Sequence, residues 1–592
     1  MYTVQKFVFP HSGFDAPEDM YVRIGQAAVY QVSDEKSLRF CHGGKAEFGT
    51  FYNAFSVGPW KTSCALSDLY LTLVGEGEFT LSLVWLRPRL PPKILCKHHV
   101  SLKNDEPFEL LVDQWKKLED GILYFELVCI GEGGGILSSG GWGTSTPPLR
   151  DVRLGVVVTH FNRKDFVIPA ISRIKAQLLE DPDYRGCIDL FVVDNSNDLA
   201  PGEVGGATIL PNKNYGGASG FTKGLLHLED EQTYSHCLFM DDDASCEVES
   251  IRRAYRLFQY VINEKSAVAG SLLREVEPYR LFEKGARFDG FCRPLKSGLD
   301  MRNHADLAIA EINDIKPDYG GWWFFGFKIS EVVNYAFPFF VRGDDIMFGM
   351  TNDFDIITMN GIACWGEDFG LKSGPLPIYL DVRNHFIQKI THMKSGFLSN
   401  FLMIFKFFAG SLLSYNYATA KAVVKAVKDV SEGPSFWLDN MDASRVRKSV
   451  GAFSPAEKMQ PIDRGQYDVV YGSPFESRLR KFFRIATLNG FLLPGFMLKD
   501  GVMFQHKSFR GNLREIFRYK RVLYEYEPTH MGYVAEHSKK EFFSVSWDFV
   551  KASWGLMLNY RSLQSLYNNH LQELTSRGFW VDQLSDGERM ES

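Results

Sequence analysis

The sequence lacks an uninterrupted apolar run of the roughly 20 residues that a spanning helix needs. Its longest apolar stretch, Gly396 to Tyr415, is broken by Lys406 and by Ser399, Asn400, Ser411 and Ser414, and reads as a packed or interfacial helix. There is no disulfide framework either. The nine cysteines are odd in number, show no paired spacing and stop at Cys364, the pattern of reduced thiols in a cytoplasm. The opening MYTVQKFVFPHSG has no basic leader followed by an apolar run, so a secretory signal is not expected. Positive charge is not in surplus. A formal charge of −6 argues against a general nucleic-acid binder, which must neutralise phosphates with Lys and Arg, and leaves only local basic patches.

What is present is the composition of a folded globular chain, 45 % hydrophobic and 23 % charged. Its 592 residues suit about three domains, at roughly 100–200 residues each. Residues 1–150 carry short alternating runs, Phe79 to Trp85 and Ile122 to Ile130 among them, separated by Gly, Pro and Asp clusters. These predict a β-sandwich or barrel. Gly131 to Pro148 is rich in Gly, Ser and Pro and reads as a connector. From Val152 the pattern changes: Leu154 to Thr159 and Ile188 to Val193 are buried-strand runs with a helical stretch, Val167 to Glu180, between them. Such alternation predicts a Rossmann-like α/β domain over 151–390 with a mainly parallel sheet. Residues 391–592 read as helical, with amphipathic segments at Tyr417 to Val430 and Val545 to Leu574.

Chemistry concentrates in the central segment. In Cys237-Leu-Phe-Met-Asp-Asp-Asp-Ala244 an apolar strand runs into three carboxylates. Ligands of open α/β sheets bind at such strand ends, and clustered carboxylates repel unless a cation or solvent relieves them. Asp241 and Asp243, two apart, can face one divalent ion; a solvated acidic turn is the plainer explanation of the same residues. Thr159-His-Phe-Asn-Arg163 and Val193-Asp-Asn-Ser-Asn197 follow the first two strands, where a base and ribose could be held, although turn chemistry also explains them. Asn214-Tyr-Gly-Gly-Ala-Ser-Gly-Phe-Thr-Lys223 is a glycine-rich turn opening a helix, suited to a diphosphate or sugar. Gly320-Gly-Trp-Trp-Phe-Phe-Gly-Phe327 offers two tryptophans that suit either a sugar platform or core packing. Asp344 and Asp345 form a second carboxylate site about 100 residues after the first. One site for a metal and one for a base is what glycosyl transfer from a nucleoside diphosphate requires.

Taken in order, His160-Phe-Asn-Arg163, Asp194-Asn195, Asn214-x-Gly-Gly217, Phe239-Met-Asp-Asp-Asp243, Trp322-Trp323 and Arg342-Gly-Asp-Asp345 resemble the family 2 inverting glycosyltransferases of the GT-A fold. Among these the chain looks most like the bacterial galactofuranosyltransferases that build galactan. The resemblance covers residues 151–390 and extends loosely to Phe48-Gly-Thr-Phe-Tyr-Asn-Ala-Phe55 and to the helical C-terminal part. It implies that Asp241 and Asp243 bind Mn²⁺ or Mg²⁺, and that Phe161, Arg163, Asp194, Asn214 and Asp242 hold a UDP-sugar donor, UDP-galactofuranose. It further implies that Asp345 is the general base and that Trp322, Trp323 and Asp344 meet the acceptor. One departure stands out. The family usually has a metal-binding His directly after the Trp of the strand that follows the base, whereas Trp365 is followed by Gly366, Glu367 and Asp368. Glu367 can replace it as an oxygen ligand to a hard cation, or Glu367 and Asp368 can be an exposed turn.

Two other readings fit the motifs: a GT-A enzyme using galactopyranose, glucose or rhamnose, and a carbohydrate-binding scaffold in which the β-domain of residues 1–150 recognises glycan and the GT-A domain is inactive. The expected partners are the UDP-sugar, a glycan or lipid-linked glycan acceptor and further copies of the chain, with no nucleic acid. The cations set among aromatics in Arg478-Leu-Arg-Lys-Phe-Phe-Arg484, and later Lys507, Arg510, Arg514, Arg518, Lys520 and Arg521, suit a peripheral contact at the inner face of the cell membrane. A solvated helix face or an oligomer contact explains them equally.

Overall fold

The computed structural model describes residues 1–585 apart from 12–15, 32–36, 105 and 474. In the N-terminal part, the described residues form an antiparallel sheet of eleven strands, one of them the long strand Tyr70–Leu86 at its centre. One half of that strand pairs with Gly135–Thr144 and Phe108–Leu111, the other with Ile122–Cys129 and Lys93–Leu102. The expected sandwich or barrel is thus realised as a single branched sheet. Its alternating residues Leu71, Leu73, Phe79, Leu81 and Leu83 are buried in an aromatic core with Phe48, Phe125 and Trp142.

The glycine-rich stretch read as a connector is in fact a strand over Gly135–Thr144, paired on one side with Tyr2–Lys6 and on the other with the long strand. Glycine is needed there because the neighbours come too close for a side chain. A Cβ on Gly140 would lie 2.7 Å from the Phe7 ring.

The central sheet has seven strands: β1 (Leu154–His160), β2 (Ile188–Asp194), β3 (Thr208–Pro211), β4 (His236–Asp241), β5 (Ser266–Ala269), β6 (Phe325–Lys328) and β7 (Asp355–Ile357). Their order is β3-β2-β1-β4-β6-β5-β7, and only β6 runs antiparallel to its neighbours. The first strands are flanked by α1 (Lys164–Ile174), α2 (Gly216–Asp230) and α3 (Val248–Tyr260). The β-branched run of β1 is almost wholly buried, as a strand covered on both faces must be. A smaller four-stranded sheet, made by Ser245–Cys246, Ala363–Gly366, Ser271–Arg274 and Leu281–Glu283, extends beyond the edge where β1, β2 and β4 end.

Helix α4 (Asp344–Asn352) leads into the C-terminal part, with α5 (Pro375–Ile390), α6 (Phe397–Leu413), α7 (Tyr417–Val430), the short α8 (Arg478–Ala486) and the long α9 (Lys539–Leu574). The helical expectation is incomplete. A five-stranded mixed sheet that includes Lys499–His506, Tyr519–Tyr526 and Met531–Glu536 lies between the helices. Of the cations that suggest a basic surface segment, only Lys520 and Arg521 lie in these strands. Among the described residues no helix is long and apolar enough to cross a membrane.

The N-terminal and central sheets share one hydrophobic core, in which Trp60 meets Tyr260 edge-on at 6.2 Å. Arg253 of α3, fully buried, pins them together. Its guanidinium donates to the carbonyls of Tyr52 at 2.6 Å and Lys6 at 3.2 Å and pairs with Glu249 at 3.4 Å. Removing one partner of a buried ion pair typically costs about 3–5 kcal/mol. Arg253→Met should therefore lower the thermal midpoint clearly; a melting curve superimposable on wild type would show that Arg253 does not hold the two sheets together.

Candidate active site

β1, β2 and β4 deliver His160, Asp194 and Asp241 to the same edge of the sheet, since the register pairs His160 with Asp194 and Thr159 with Asp241. His160 is fully buried between two loops. Its Nδ1 lies 3.2 Å from Asp242 and its Nε2 3.0 Å from Asp198. Burial opposes the imidazolium, but the hydrogen bonds to Asp242 and Asp198 outweigh it and the pKa is raised. Both ring nitrogens lie within hydrogen-bond reach of carboxylates, so His160 ties the loops after β2 and β4 together; with Asp194 and Asp198 it also forms a group whose ligand-type atoms lie within 4.8 Å of one another, a second place that could hold a metal ion.

Asp242 also accepts from the Phe161 N–H at 3.0 Å and faces Arg163 at 3.4 Å. Asp243 is ion-paired with Arg163 and lies 3.4 Å from Lys372, whose ammonium is 3.3 Å from Glu367. Lys372 thus bridges Asp243 and Glu367 and shows that both carboxylates reach one cation-sized space. Asp241 is left without such a partner. Burial, with the charges of Asp243 and Asp242, pushes its carboxyl up to about 8. A carboxyl raised by burial and by repulsion that Lys372 only partly offsets, beside two carboxylates already gathered on that ammonium, is a donor set that fits a hard divalent cation. Glu367 and Asp368 are not a free surface turn, because Arg274 grips Asp368 through Nε at 2.8 Å and Nη2 at 2.5 Å.

Asp194 and Asn214 do other work than expected. Asp194 is only 1 % exposed and accepts from the N–H groups of Ser196, Asn197 and Leu199 at 2.8–2.9 Å, which folds the loop after β2. Asn214 accepts from the Gly216 N–H at 3.1 Å and shapes the turn into α2. Gly216 has φ 75°, and a Cβ there would collide with the Phe340 carbonyl, so the glycine-rich turn lies directly against the segment leading to Asp344. Phe161 remains exposed at the mouth of the edge.

The second carboxylate pair opens α4. Consecutive residues of a helix point about 100° apart, and the two carboxyls part accordingly. Asp344 is buried toward the glycine-rich turn, its Oδ2 3.3 Å from where a Gly217 Cβ would stand, whereas Asp345 lines a cavity of about 590 Å³. Direct acceptor contact by Asp344 is therefore replaced by packing against that turn. Burial raises both carboxyls, Asp345 to about 6 against the pull of nearby backbone N–H groups and Arg342. The cavity floor also holds Glu283, a residue that the motifs did not single out. It is 3 % exposed, has a buried Oε1 with no hydrogen-bond partner, and is pushed up to about 8 by burial and by Asp345. The available signal was a charged residue closing the strand run Leu281-Phe-Glu283. Further lining comes from His385 of α5 and, from the C-terminal part, Lys406 and Phe407 of α6 and Arg510.

The two tryptophans separate as well. Trp323 lines the cavity, its Nε1 donating to the Gly270 carbonyl at 3.1 Å and its ring 6.1 Å from Phe369. Trp322 faces the other way, packed edge-on against Phe221, Phe239 and Phe348 at 5.1–5.5 Å. For Trp322 the platform gives way to core packing. Trp322→Ala is expected to cost about 3–5 kcal/mol, read as a lower urea midpoint, and Trp323→Ala to leave that midpoint nearer wild type. Equal midpoints for wild type and Trp322→Ala would contradict this placement.

A parallel sheet whose ends carry a cation-ready carboxylate cluster, beside a cavity floored by two protonatable carboxyls, is the layout of a group-transfer enzyme. No family model matches the sequence. Two curated relatives do, both named galactofuranosyltransferase GlfT2. That of Mycobacterium tuberculosis (strain ATCC 25618 / H37Rv) is 22 % identical over 455 residues, 70 % of each chain. That of Mycolicibacterium smegmatis (strain ATCC 700084 / mc(2)155) is 22 % identical over 432 residues, 67 % of this chain and 66 % of the relative. The resemblance read from the motifs is borne out: the chain is related in sequence to galactofuranosyltransferases. Solved structures with partial likeness include GalNAc-T7 with UDP, GalNAc and Mn²⁺, at TM-score 0.28 and 8 % identity over 38 % of this chain and 45 % of that one. Mannosyl-3-phosphoglycerate synthase from Rubrobacter xylanophilus gives TM-score 0.27 and 15 % identity over 40 % and 74 %. Likeness of that degree carries no inference.

Proposed function

We propose that the chain is an inverting, metal-dependent glycosyltransferase of the GT-A type that moves galactofuranose from its UDP conjugate to a hydroxyl of a growing glycan. The observation that carries this reading is the gathering of Asp243 and Glu367 around one cation-sized space, with Asp241 near enough to feel the charges of Asp243 and Lys372, beside a cavity lined by Asp345 and Glu283, in a chain whose relatives are named galactofuranosyltransferases. Residues 151–390 form the catalytic unit in this reading, with 1–150 as a β-domain bracing it and 391–592 closing the acceptor cavity.

Asp241, Asp243 and Glu367 would hold Mn²⁺ or Mg²⁺, which when bound offsets the charge of the departing diphosphate. The exposed Phe161 ring and the Arg163 guanidinium receive the uridine diphosphate, and the His160 imidazolium keeps Asp242 and the loop at Asp198 in place around it. Asp345 accepts the proton of the acceptor hydroxyl as that oxygen bonds to the anomeric carbon and the bond to UDP breaks on the opposite face. Glu283, neutral at pH 7 because its carboxyl is pushed up to about 8, donates a hydrogen bond to the acceptor. Trp323 and Phe369, packed edge-on against each other, form one wall for the sugar that carries the attacking hydroxyl.

Asp345→Asn should keep UDP binding and lose at least about 10²-fold in turnover, the usual scale for a lost general base. The base works unprotonated and the Glu283 donor protonated, so wild-type turnover should be highest between pH about 6 and about 8, falling as pH drops through the Asp345 value and as it rises through that of Glu283. Near wild-type turnover in Asp345→Asn would remove it from this role. The substrate assignment is tested by UDP release with UDP-galactofuranose and a short synthetic galactofuranosyl acceptor, against UDP-galactopyranose and UDP-glucose. Faster release with either of the latter would replace the donor.

Metal dependence separates the ligands. Asp243→Ala should abolish stimulation by Mn²⁺ or Mg²⁺, and Glu367→Ala should shift the metal titration to higher concentration. Full activity in chelator would sink the metal site, and an unchanged titration in Glu367→Ala would remove that residue from it.

A further inference from the structure

We propose that Lys372 is a movable counter-ion, whose ammonium competes with the divalent cation for Asp243 and Glu367 and, on giving them up, binds the departing diphosphate. The inference rests on the metal and donor site proposed above, and it gives work to a cation which that reaction leaves unused.

Lys372 has a distinct place among the cations of the cluster. Arg163 pairs with Asp242 and Asp243, neighbours in one turn, and His160 reaches Asp242 and Asp198. Lys372 instead stands between two of the carboxylates assigned to the cation, 3.4 Å from Asp243 and 3.3 Å from Glu367, which come from separate segments. Its charge also reaches Asp241 and Glu275. Glu275 is an acid that no motif marked. The parallel pairing of Ser271–Arg274 with Ala363–Gly366 brings it beside Glu367, and its N–H donates to the Gly366 carbonyl at 3.1 Å. Burial and the charges of Glu367 and Asp243 push its carboxyl up. A single positive charge therefore serves four carboxyls. A divalent cation on Asp241, Asp243 and Glu367 supplies that charge itself, and like charges sharing the same oxygens repel strongly. The ammonium must then leave them.

The direction of its move follows from how the turn is held. Arg274 grips Asp368, and the Ser373 carbonyl accepts from the buried Lys507 ammonium at 2.8 Å. Within the turn the Asp368 carbonyl accepts from the N–H groups of Leu371 at 3.0 Å and Lys372 at 3.3 Å. The backbone is pinned on both sides of Lys372, so what moves is its side chain, 35 % exposed on a flexible four-carbon stem. Swung off the carboxylates, the ammonium finds its replacement partner in the oxygens of the diphosphate. Negative charge grows on those oxygens as the bond to the anomeric carbon breaks, so the contact is strongest in the transition state.

Binding is measured on the full chain, with Mn²⁺ alone by electron paramagnetic resonance and with UDP added to the Mn²⁺-saturated protein by calorimetry. Lys372→Met should bind Mn²⁺ alone about tenfold more tightly than wild type, because the competing ammonium is gone. It should then bind UDP about tenfold more weakly, the scale of a lost charge-assisted hydrogen bond. A lysine with a merely structural role would not move the two affinities in opposite directions. Lys372→Arg, which keeps the charge, should restore most of the UDP affinity. In chelator Lys372→Met should melt below wild type, since the carboxylates lose a counter-ion, and Mn²⁺ should raise its midpoint by more than it raises that of wild type. Mn²⁺ affinity unchanged or weakened in Lys372→Met, or an unaltered UDP affinity, would overturn the proposal while leaving the metal site in place. Wild type that takes up no Mn²⁺ even with UDP present would overturn the metal site itself, and the proposal with it.

Discussion

Repulsion among carboxylates at the end of β4 is the constraint that organises the rest of the central unit. Asp241, Asp242 and Asp243 cannot be gathered at a half-buried sheet edge unless cations meet them, and the chain supplies three from separate places. The His160 imidazolium comes from β1, Arg163 from the turn after it, and Lys372 from the loop beyond the smaller sheet. Each cation reaches a second carboxylate as well: Asp198 for His160, Asp242 for Arg163 and Glu367 for Lys372. The network therefore ties the loops after β1, β2 and β4 and the segment 367–372 into one rim. Asp241, the member without such a cation, is the place where an added ion has most to offset.

That rim needs a stiff base. The shared core of the two large sheets and the buried Arg253 provide it, because a loosely hinged β-domain would let α3 shift beneath β4. The segment 367–372 then connects chemistry to shape. Glu367 and Lys372 face the carboxylate cluster, while Phe369, between them, packs edge-on against Trp323 in the cavity wall. A change in the cation network would be felt within a few residues by the wall of the cavity.

Much of this was legible in order along the chain. The strand runs at Leu154 and Ile188, the carboxylates after Met240 and the helix at Tyr417 to Val430 are local patterns, and local patterns survive folding because backbone geometry imposes their spacing. The Gly-rich stretch after Gly131 misled for a physical reason: glycine marks both flexible connectors and strands whose neighbours approach too closely for a side chain, and sequence cannot tell these apart. The strands between Lys499 and Glu536 were hidden because they are short apolar runs, Val502 to Phe504 and Val522 to Tyr524 among them, set among charged residues, and short runs do not by themselves tell strand from helix.

By itself the sequence determined the succession of β, α/β and C-terminal parts, the carboxylates available for a cation and a base, and the family to which they point. Only the tertiary structure decided which of two adjacent residues does what. It turned Asp345 into the cavity and Asp344 toward the glycine-rich turn, and it set Trp323 in the cavity wall and Trp322 in the core. It also saturated Asp194 with backbone N–H groups and brought Glu283 and Lys372 to sites that no motif had marked. The reason is directional: neighbouring side chains leave a helix or loop on different headings, and what lies along each heading comes from distant segments of the chain.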